Sequence, residues 1–150
     1  MALETVLLAV GPNDANRIDE LARTVVDIAG PAGAEVVVAH VFTDDEYETV
    51  VERLEFSAVA EADPDEVADR HSTVRELRDL LADADVPTSV RGAVGKHGDE
   101  IVALAGMAQA DLVVVGGRKR SPTGKAIFGS TAQEVMLSAP CPVTFVRGED

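Results

Sequence analysis

The chain has 150 residues, of which 46% are apolar, 27% charged and 3% aromatic, so we expect one globular domain over residues 1–150. Its 27 acidic residues against 13 lysines and arginines give a net charge of −14, which argues against binding to nucleic acid or to an anionic membrane surface. Only three of the basic residues are lysines, and this acidic, lysine-poor balance predicts a halophilic source.

The cysteine content and the apolar runs point to a cytoplasmic protein. A single cysteine, Cys141, excludes an intrachain disulfide and fits a reducing compartment. The opening apolar run is too short for a secretory leader, and no stretch approaches the roughly 18 apolar residues of a membrane span.

The first quarter of the sequence predicts a strand, a helix and a second strand. An apolar run over 6–10 is closed by glycine and proline, and Asn13 or Asp14 is the expected N-cap of the helix. Apolar residues at helical spacing continue to Gly30–Pro31, where we expect the helix to stop. The β-branched run 35–41 is typical of a strand that is covered on both faces.

Two helical stretches and a short strand are predicted next. The helices span 44–62 and 65–84, with a break at Asp63–Pro64, and the strand spans 86–91. The acidic side chains of these helices are interpreted as a solvated face. The leucines expected to face inward are Leu77, Leu80 and Leu81.

The remaining sequence predicts two more strands and two more helices. A helix from Gly98 or Asp99 to 110 precedes the most apolar strand, 111–115; a loop, a helix over 129–138 and a last strand over 141–146 follow. Met107 and Met136 are expected at core positions of their helices. Five strands that alternate with four helical regions predict an open, mostly parallel α/β sheet with helices on both faces.

A basic segment stands out in this acidic chain. Ligands of open parallel sheets bind beyond the carboxyl ends of the strands, which directs attention to Gly11 and Gly116. No acidic residue falls between Asp111 and Glu134. Four of the 13 basic residues lie in this interval, namely Arg118, Lys119, Arg120 and Lys125.

The basic segment runs into a predicted helix N-terminus at Gly129, Ser130 and Thr131. Free backbone N–H groups and the positive end of the helix dipole favour a phosphate there. The alternative is that the glycines only turn the chain, Ser130 only caps a helix and the basic residues only solvate a loop. We favour phosphate binding because turn chemistry does not explain the clustered charge.

Other site chemistries find little support in the sequence. The spacing of Gly117 and Gly124–Lys125 does not fit a P-loop, and no Gly-x-Gly-x-x-Gly fingerprint occurs. The histidines His40, His71 and His97 are scattered along the sequence, so we expect ordinary surface or strand-end residues and no metal site. No catalytic constellation is assigned.

The motifs of the second half resemble the universal stress protein family. The resemblance is carried by Asp-Leu-Val-Val-Val-Gly-Gly over 111–117, by the basic segment through Gln133, and by Ala-Pro-Cys-Pro-Val over 139–143. The strand 6–10 and the pair His40–Val41 are similar to that family too, so the resemblance covers nearly the whole chain.

This resemblance implies an adenine nucleotide alpha hydrolase-like fold with strand order 3-2-1-4-5, and cytoplasmic dimers. One subclass binds ATP or AMP through Gly-x-x-Gly-x9-Gly-Ser/Thr. Gly116 and Gly129–Ser130 match this motif, whereas Lys119 replaces its second glycine, and Gly11 follows the first strand where the family has aspartate. Lys119 either contacts a phosphate or fills its space. The implied nucleotide contacts are Ala9, Val10, Gly11, Val41, Gly116, Lys119, Gly129, Ser130 and Thr131, and charge alone adds Arg118, Arg120 and Lys125.

The resemblance therefore favours a stress-response module that binds ATP or AMP, with Mg²⁺ as an accompanying ion for ATP. Two alternatives are a nucleotide-free dimeric scaffold that regulates or protects protein partners, and a slow ATP hydrolase. The apolar last strand, with Val143, Phe145 and Val146, predicts a homodimer if it forms the edge of the sheet.

Overall fold

The computed structural model describes residues 2–53, 63–117 and 129–147. Its strands are β1 (Thr5–Val10), β2 (Glu35–Phe42), β3 (Thr88–Val94), β4 (Leu112–Gly117) and β5 (Val143–Arg147). Its helices are α1 (Ile18–Ala32), α2 (Asp44–Arg53), α3 (Pro64–Arg70), α4 (Ser72–Asp83), α5 (His97–Met107) and α6 (Ser130–Ser138).

The five strands form one parallel sheet in the order β3-β2-β1-β4-β5, as predicted. In this register Val6 of β1 lies between Val36 of β2 and Leu112 of β4. The chain moves outward from β1 to one edge, and then returns to the other side of β1 through α5. The strand order thus reverses between β1 and β4.

Alternate residues of the strands bury two separate apolar layers. Val6 and Leu8 pack with α1 and α4 on one face of the sheet. Leu7 and Ala9 pack with α5 and α6 on the other. Helices therefore cover both faces, and α2 and α3 add a smaller cluster around Phe42 near the end of β2. Among the described helices, none is both long and apolar enough to cross a bilayer.

Helix α1 begins and ends later than predicted. The Asp14 carboxylate accepts hydrogen bonds from the Gly11 N–H and the Arg17 guanidinium, so it closes the turn after β1 instead of capping the helix. At the other end Pro31 lies within the last turn, and the chain leaves the helix at Gly33, whose φ of 68° is left-handed. A left-handed glycine is a more effective stop than a proline near the helix end.

The predicted helix over 65–84 is two helices. The chain breaks at His71, whose backbone is extended, and its imidazole stacks on that of His40 at a centroid distance of 4.4 Å. Pro64 opens α3 in the first helical turn, where its missing N–H costs nothing, and Asp63 caps this helix. Leu80 is 37% exposed, so its inward placement was wrong. The part of the predicted 44–62 helix beyond Arg53 lies outside the described residues.

The other boundaries shift by a few residues. The pairing of β3 with β2 continues to Val94, three residues beyond the predicted end. The inward positions of α5 are Ile101, Leu104 and Ala105, which places Met107 on the opposite side of the helix. Met107 is 77% exposed, contrary to the prediction that it packs in the core, whereas Met136 does pack against the core.

The histidines were expected to be ordinary surface or strand-end residues; His40 does lie near the end of β2, but it is neither exposed nor isolated from the other histidines. His40 is buried, donates from Nδ1 to the Val10 carbonyl at 2.8 Å and contacts the rings of Phe42 and His71. Burial, and then the neighbouring His71, lowers the pKa of His40 to about 4. The extended backbone at His71 ends α3, and its ring lies against that of His40 in β2.

Candidate functional site

A cavity of about 590 Å³ lies beyond the carboxyl ends of β1 and β4, where the strand order reverses. This is the position at which open doubly wound sheets hold their ligands. The described residues predicted for the site all line this cavity: Ala9, Val10, Gly11, Val41, Gly116, Gly129, Ser130 and Thr131. The cavity reaches from β2 to β4, across two strand spacings or about 10 Å.

One end of the cavity is apolar. Val41 at the end of β2 and Ile101 on α5 are both nearly buried, and they belong to the apolar layer shared with Ala9. Such a surface suits a flat, weakly polar group such as a nucleobase. Val41 alone was identified from the sequence; Ile101 was interpreted only as a core residue.

His97, the first residue of α5, also lines the cavity. Its Nε2 lies 2.9 Å from Oε1 of Glu46, and this oxygen also accepts a hydrogen bond from the Thr43 N–H. Burial alone would raise the pKa of the Glu46 carboxyl, but the hydrogen bonds from Thr43 and His97 hold it below its ordinary value. Glu46 is therefore an ionised acceptor that fixes the His97 ring.

The other end of the cavity is formed by the start of α6. Gly129 is the N-cap in an extended conformation, and within the described residues no side chain caps this helix. Ser130 and Thr131 thus present the first backbone N–H groups of α6 beside the cavity. Uncapped N–H groups together with the helix dipole make this end suitable for an anion.

A buried ion pair, which was not recognised in the sequence, also lines the cavity. Arg17 Nη1 lies 2.6 Å from Asp14 Oδ1, and Asp14 Oδ2 accepts from the Gly11 N–H at 2.7 Å. Both residues are almost fully buried, at 6% and 4% exposure for Asp14 and Arg17. The i, i+3 spacing of opposite charges directly after a strand end was the available signal, but it was interpreted as helix capping.

The ion pair leaves little space for a side chain at Gly116. A Cβ at Gly116 would lie 3.1 Å from both the Arg17 side chain and Asp14 Oδ1, which is closer than ordinary contact. The missing side chain lets the buried pair approach the end of β4. The negative charge of Asp14 is at the same time neutralised beneath the cavity, so it does not oppose an anionic ligand.

The predicted basic residues Arg118, Lys119, Arg120 and Lys125 lie outside the described residues, and their contribution stays a prediction. The described residues contain no group of three or more histidine, cysteine or acidic side chains that could hold a metal ion.

The strand order defines a doubly wound α/β protein, and the cavity at its reversal, between β1 and β4, is the candidate ligand site. The family model "Universal stress protein family" matches residues 3–147. The chain therefore belongs to the universal stress protein family.

Individual relatives agree with this assignment. A universal stress protein of Mycolicibacterium smegmatis is 35% identical over 79 residues, which are 52% of this chain and 61% of that protein. A universal stress protein structure from Archaeoglobus fulgidus has 25% identity and a TM-score of 0.67, with 96% of this chain and 98% of that chain covered. The match to the curated Mycolicibacterium protein thus spans less than two thirds of its length.

Three solved structures with the same fold contain adenine nucleotides. One is described as a complex with cAMP, at 22% identity, a TM-score of 0.66 and coverage of 99% and 100%. Another, from Archaeoglobus fulgidus, contains dAMP, at 21% identity, a TM-score of 0.64 and coverage of 98% and 100%. A protein of Arabidopsis thaliana has AMP bound, at 12% identity, a TM-score of 0.66 and coverage of 97% and 92%.

Proposed function

We propose that this protein binds an adenine nucleotide, ATP or AMP, in the cavity between β1 and β4. The observation that carries the proposal is the polarity of the cavity, which is apolar at Val41 and Ile101 and ends at the uncapped N-terminus of α6. A nucleotide has the same polarity, with a flat base at one end and phosphates at the other. The nucleotides in the structural relatives support this assignment.

The base is assigned to the apolar end, and the phosphates to Gly129, Ser130 and Thr131. Gly116, at the carboxyl end of β4, lines the segment between them, which is assigned to the ribose. Lys119, Arg120, Arg118 and Lys125 add positive charge near the phosphates in this proposal. The described residues offer no cluster of metal ligands, so Mg²⁺ would enter with ATP, held mainly by the phosphates and water.

A charge placed at the start of α6 tests the phosphate end. Thr131→Glu should weaken AMP binding at least tenfold, because the new carboxylate repels the phosphate and disturbs its charge-assisted hydrogen bonds. Each such bond contributes about 1.5–3 kcal/mol. The same acid should leave the fold intact or stabilise it slightly, since a carboxylate in the first helical turn favours the dipole. Isothermal calorimetry with AMP and with adenosine measures the effect.

The control for Thr131→Glu is Gln133→Glu, which adds the same charge to an exposed position of the same helix that does not line the cavity. Gln133→Glu should leave AMP affinity nearly unchanged, and adenosine should bind both variants like the wild type. Equal AMP affinity for Thr131→Glu and wild type would place the phosphate elsewhere.

The role of Lys119 is tested by two substitutions. Lys119→Glu should reduce ATP affinity about tenfold or more, as expected for loss of one charge-assisted contact. Lys119→Gly restores the family motif; it should raise affinity if the lysine obstructs the site and lower it if the lysine is a ligand. Equal affinities for all three proteins would show that the basic segment does not hold the phosphates.

We further propose a cytoplasmic homodimer formed through β5, with no nucleic-acid partner. The edge position of β5 and its partly exposed Val143 and Phe145 support this arrangement. Native mass spectrometry of the purified protein tests both proposals, because a bound nucleotide adds its own mass to that of one or two 15.7 kDa chains. A dimer that binds no nucleotide at any accessible concentration would favour the alternative, a scaffold for protein partners.

The halophilic adaptation is also proposed, on the net charge of −14. The Debye length grows from about 3 Å in 1 M salt to about 10 Å in 0.1 M salt, so repulsion among surface acids should destabilise the fold as salt is removed. We expect the midpoint of thermal unfolding, followed by circular dichroism, to fall by several degrees between 1 M and 0.1 M KCl. An unchanged midpoint would contradict the adaptation.

A further inference from the structure

We propose that His97 makes the site selective for 6-amino over 6-oxo purines, by accepting a hydrogen bond on Nδ1 from the amino group of the base. The inference rests on the proposed function, because it requires the base to occupy the apolar end of the cavity. His97 also contacts Glu46 through Nε2, and the inference assigns a role to its other ring nitrogen.

His97 lies among the residues at the apolar end of the cavity. Its ring lines the cavity together with Val41 and Ile101, the residues that form the apolar end. The His97 side chain is 24% exposed, whereas both apolar neighbours are almost completely buried. His97 is therefore a polar side chain of the cavity that is more exposed than its two apolar neighbours, and we infer that a base at this end meets it.

The hydrogen bond with Glu46 fixes the orientation of the His97 ring. Glu46 Oε1 lies 2.9 Å from Nε2, so the carboxylate accepts and Nε2 carries the proton. In a neutral imidazole the other nitrogen, Nδ1, is then an acceptor. The hydrogen bond described for this ring uses Nε2, so Nδ1 is the ring's other polar atom, and we assign it to a ligand.

Glu46 is itself held in place, which makes the acceptor a fixed feature. It forms a reciprocal pair with Thr43 at the start of α2: the Thr43 N–H donates to Glu46 Oε1 at 2.8 Å, and the Glu46 N–H donates to Thr43 Oγ1 at 3.2 Å. A capping box of this kind fixes the glutamate rotamer. The His97 tautomer is thus set by a carboxylate whose own position is set by α2.

The chemistry of the ligand follows from this tautomer. Adenine carries a 6-amino group, a donor that complements a bare ring nitrogen. Hypoxanthine carries a 6-oxo group, so the same nitrogen would face an acceptor and both would stay unpaired. Because an unmatched buried polar pair is costly, we expect AMP to bind about tenfold or more tightly than IMP.

Two amide substitutions separate recognition from a purely structural role. The side-chain amide of asparagine occupies nearly the place of Nδ1, and that of glutamine nearly the place of Nε2. His97→Asn keeps an acceptor toward the base but loses Glu46, whereas His97→Gln keeps the contact with Glu46 but loses the acceptor. We therefore expect His97→Gln to weaken AMP about tenfold, and His97→Asn to retain AMP affinity within about threefold.

The two substitutions should also differ with IMP, measured like AMP by calorimetry on the full chain. The amide of His97→Asn can rotate to donate its N–H to a 6-oxo group, so its IMP affinity should rise, whereas that of His97→Gln should stay near the wild-type value. The opposite pattern for AMP, with glutamine tolerated and asparagine impaired, would show that His97 only supports Glu46 and would overturn the inference.

The wild type distinguishes the inference from the function on which it rests. Equal binding of AMP and IMP, or tighter binding of IMP, overturns the role of His97 and leaves nucleotide binding standing. Binding of neither nucleotide overturns the proposed function and the inference with it. Circular dichroism of each variant, with unfolding midpoints close to the wild type, ensures that altered affinities come from folded protein.

Discussion

The two edges of the sheet differ in how far they are covered: α3 packs on the β3 edge, whereas the β5 edge is partly exposed. At the β3 edge, α3 lies so close that a Cβ on Gly92 would overlap the Pro64 carbonyl oxygen, and Asp65 Oδ1 accepts the Gly92 N–H at 2.7 Å. At the β5 edge, Val143 and Phe145 are only partly buried, and no described strand pairs beyond them. The chain thus covers one edge with its own helix, and the other is the edge to which a second copy can add a strand.

The largest expected effect comes from breaking the close approach at the β3 edge. Gly92→Ala should destabilise the fold by about 3 kcal/mol, because the added methyl overlaps backbone and no side chain can move aside. Urea unfolding in high salt measures this loss. Gly106→Ala is the matched control: nothing lies within 4 Å of its added Cβ, and this helix position should gain about 0.5–1 kcal/mol. Similar effects at both positions would contradict the close packing of α3.

Removing the acceptor for the Gly92 N–H should have the next largest effect. Asp65→Ala leaves this edge N–H unpaired, and should cost about 1–2 kcal/mol and speed hydrogen exchange at the Gly92 amide. Asp65→Asn retains an acceptor oxygen and should lose much less. Glu66→Ala removes the neighbouring exposed pair with Arg70 and should change stability by no more than about 0.5 kcal/mol. A loss with Glu66→Ala as large as that with Asp65→Ala would point to general charge effects.

Acid should weaken the covered side of the sheet by a smaller amount. The unfolded chain protonates His40 near pH 6.5, but burial holds the pKa in the folded protein at about 4, so stability falls as the pH drops through this interval. Between about pH 7 and about pH 5.5 the loss from His40 should be about 1 kcal/mol. Burial lowers the pKa of His71 too, which acts in the same direction.

His40→Asn tests this assignment, because its amide can keep the hydrogen bond to the Val10 carbonyl without titrating. The unfolding free energy is measured for both proteins at the two pH values, and its change between these values should be smaller for the variant than for the wild type. An equal loss in both would assign the acid sensitivity to other groups.

The smallest change in stability, with a large change in mass, is expected at the open edge. Thr144→Lys should change the free energy of unfolding of a single chain by less than about 0.5 kcal/mol. It should nevertheless convert the proposed dimer into a 15.7 kDa monomer, since lysines on an edge strand block pairing. Ser89→Lys places the same charge on an exposed residue of β3 and should leave the mass unchanged. Light scattering in high salt decides; a monomeric wild type, or dissociation by Ser89→Lys, would contradict dimerisation through β5.

The strands and their order were predictable because their signals are local or belong to the family motif. Consecutive apolar residues in β2 and β4 specify strands covered on both faces, and the glycines at the end of β4 mark its carboxyl end. The helix break at His71 was not predictable from a local pattern, and the ring contact that accompanies it joins His71 to His40, a residue of β2.

For the candidate site, sequence patterns identified the backbone positions but missed the side chains that act through distant partners. Glycines and a serine beside a strand end are visible as a motif. His97 is a candidate only because of its contact with Glu46, 51 positions away. Ile101 is a candidate only because the fold places it beside the cavity. The ion pair of Asp14 and Arg17 was visible as a spacing, but its burial beneath Gly116 was not.

That buried pair has a consequence for the entropy of ligand binding. Gly11, Asp14 and Arg17 are joined by hydrogen bonds of 2.6 to 2.7 Å within the protein itself, so the turn after β1 has lost its conformational freedom on folding. A ligand that settles on this turn has no loop to order there, and ordering usually subtracts from affinity. At this side of the cavity, differences in affinity between ligands therefore report the contacts they make.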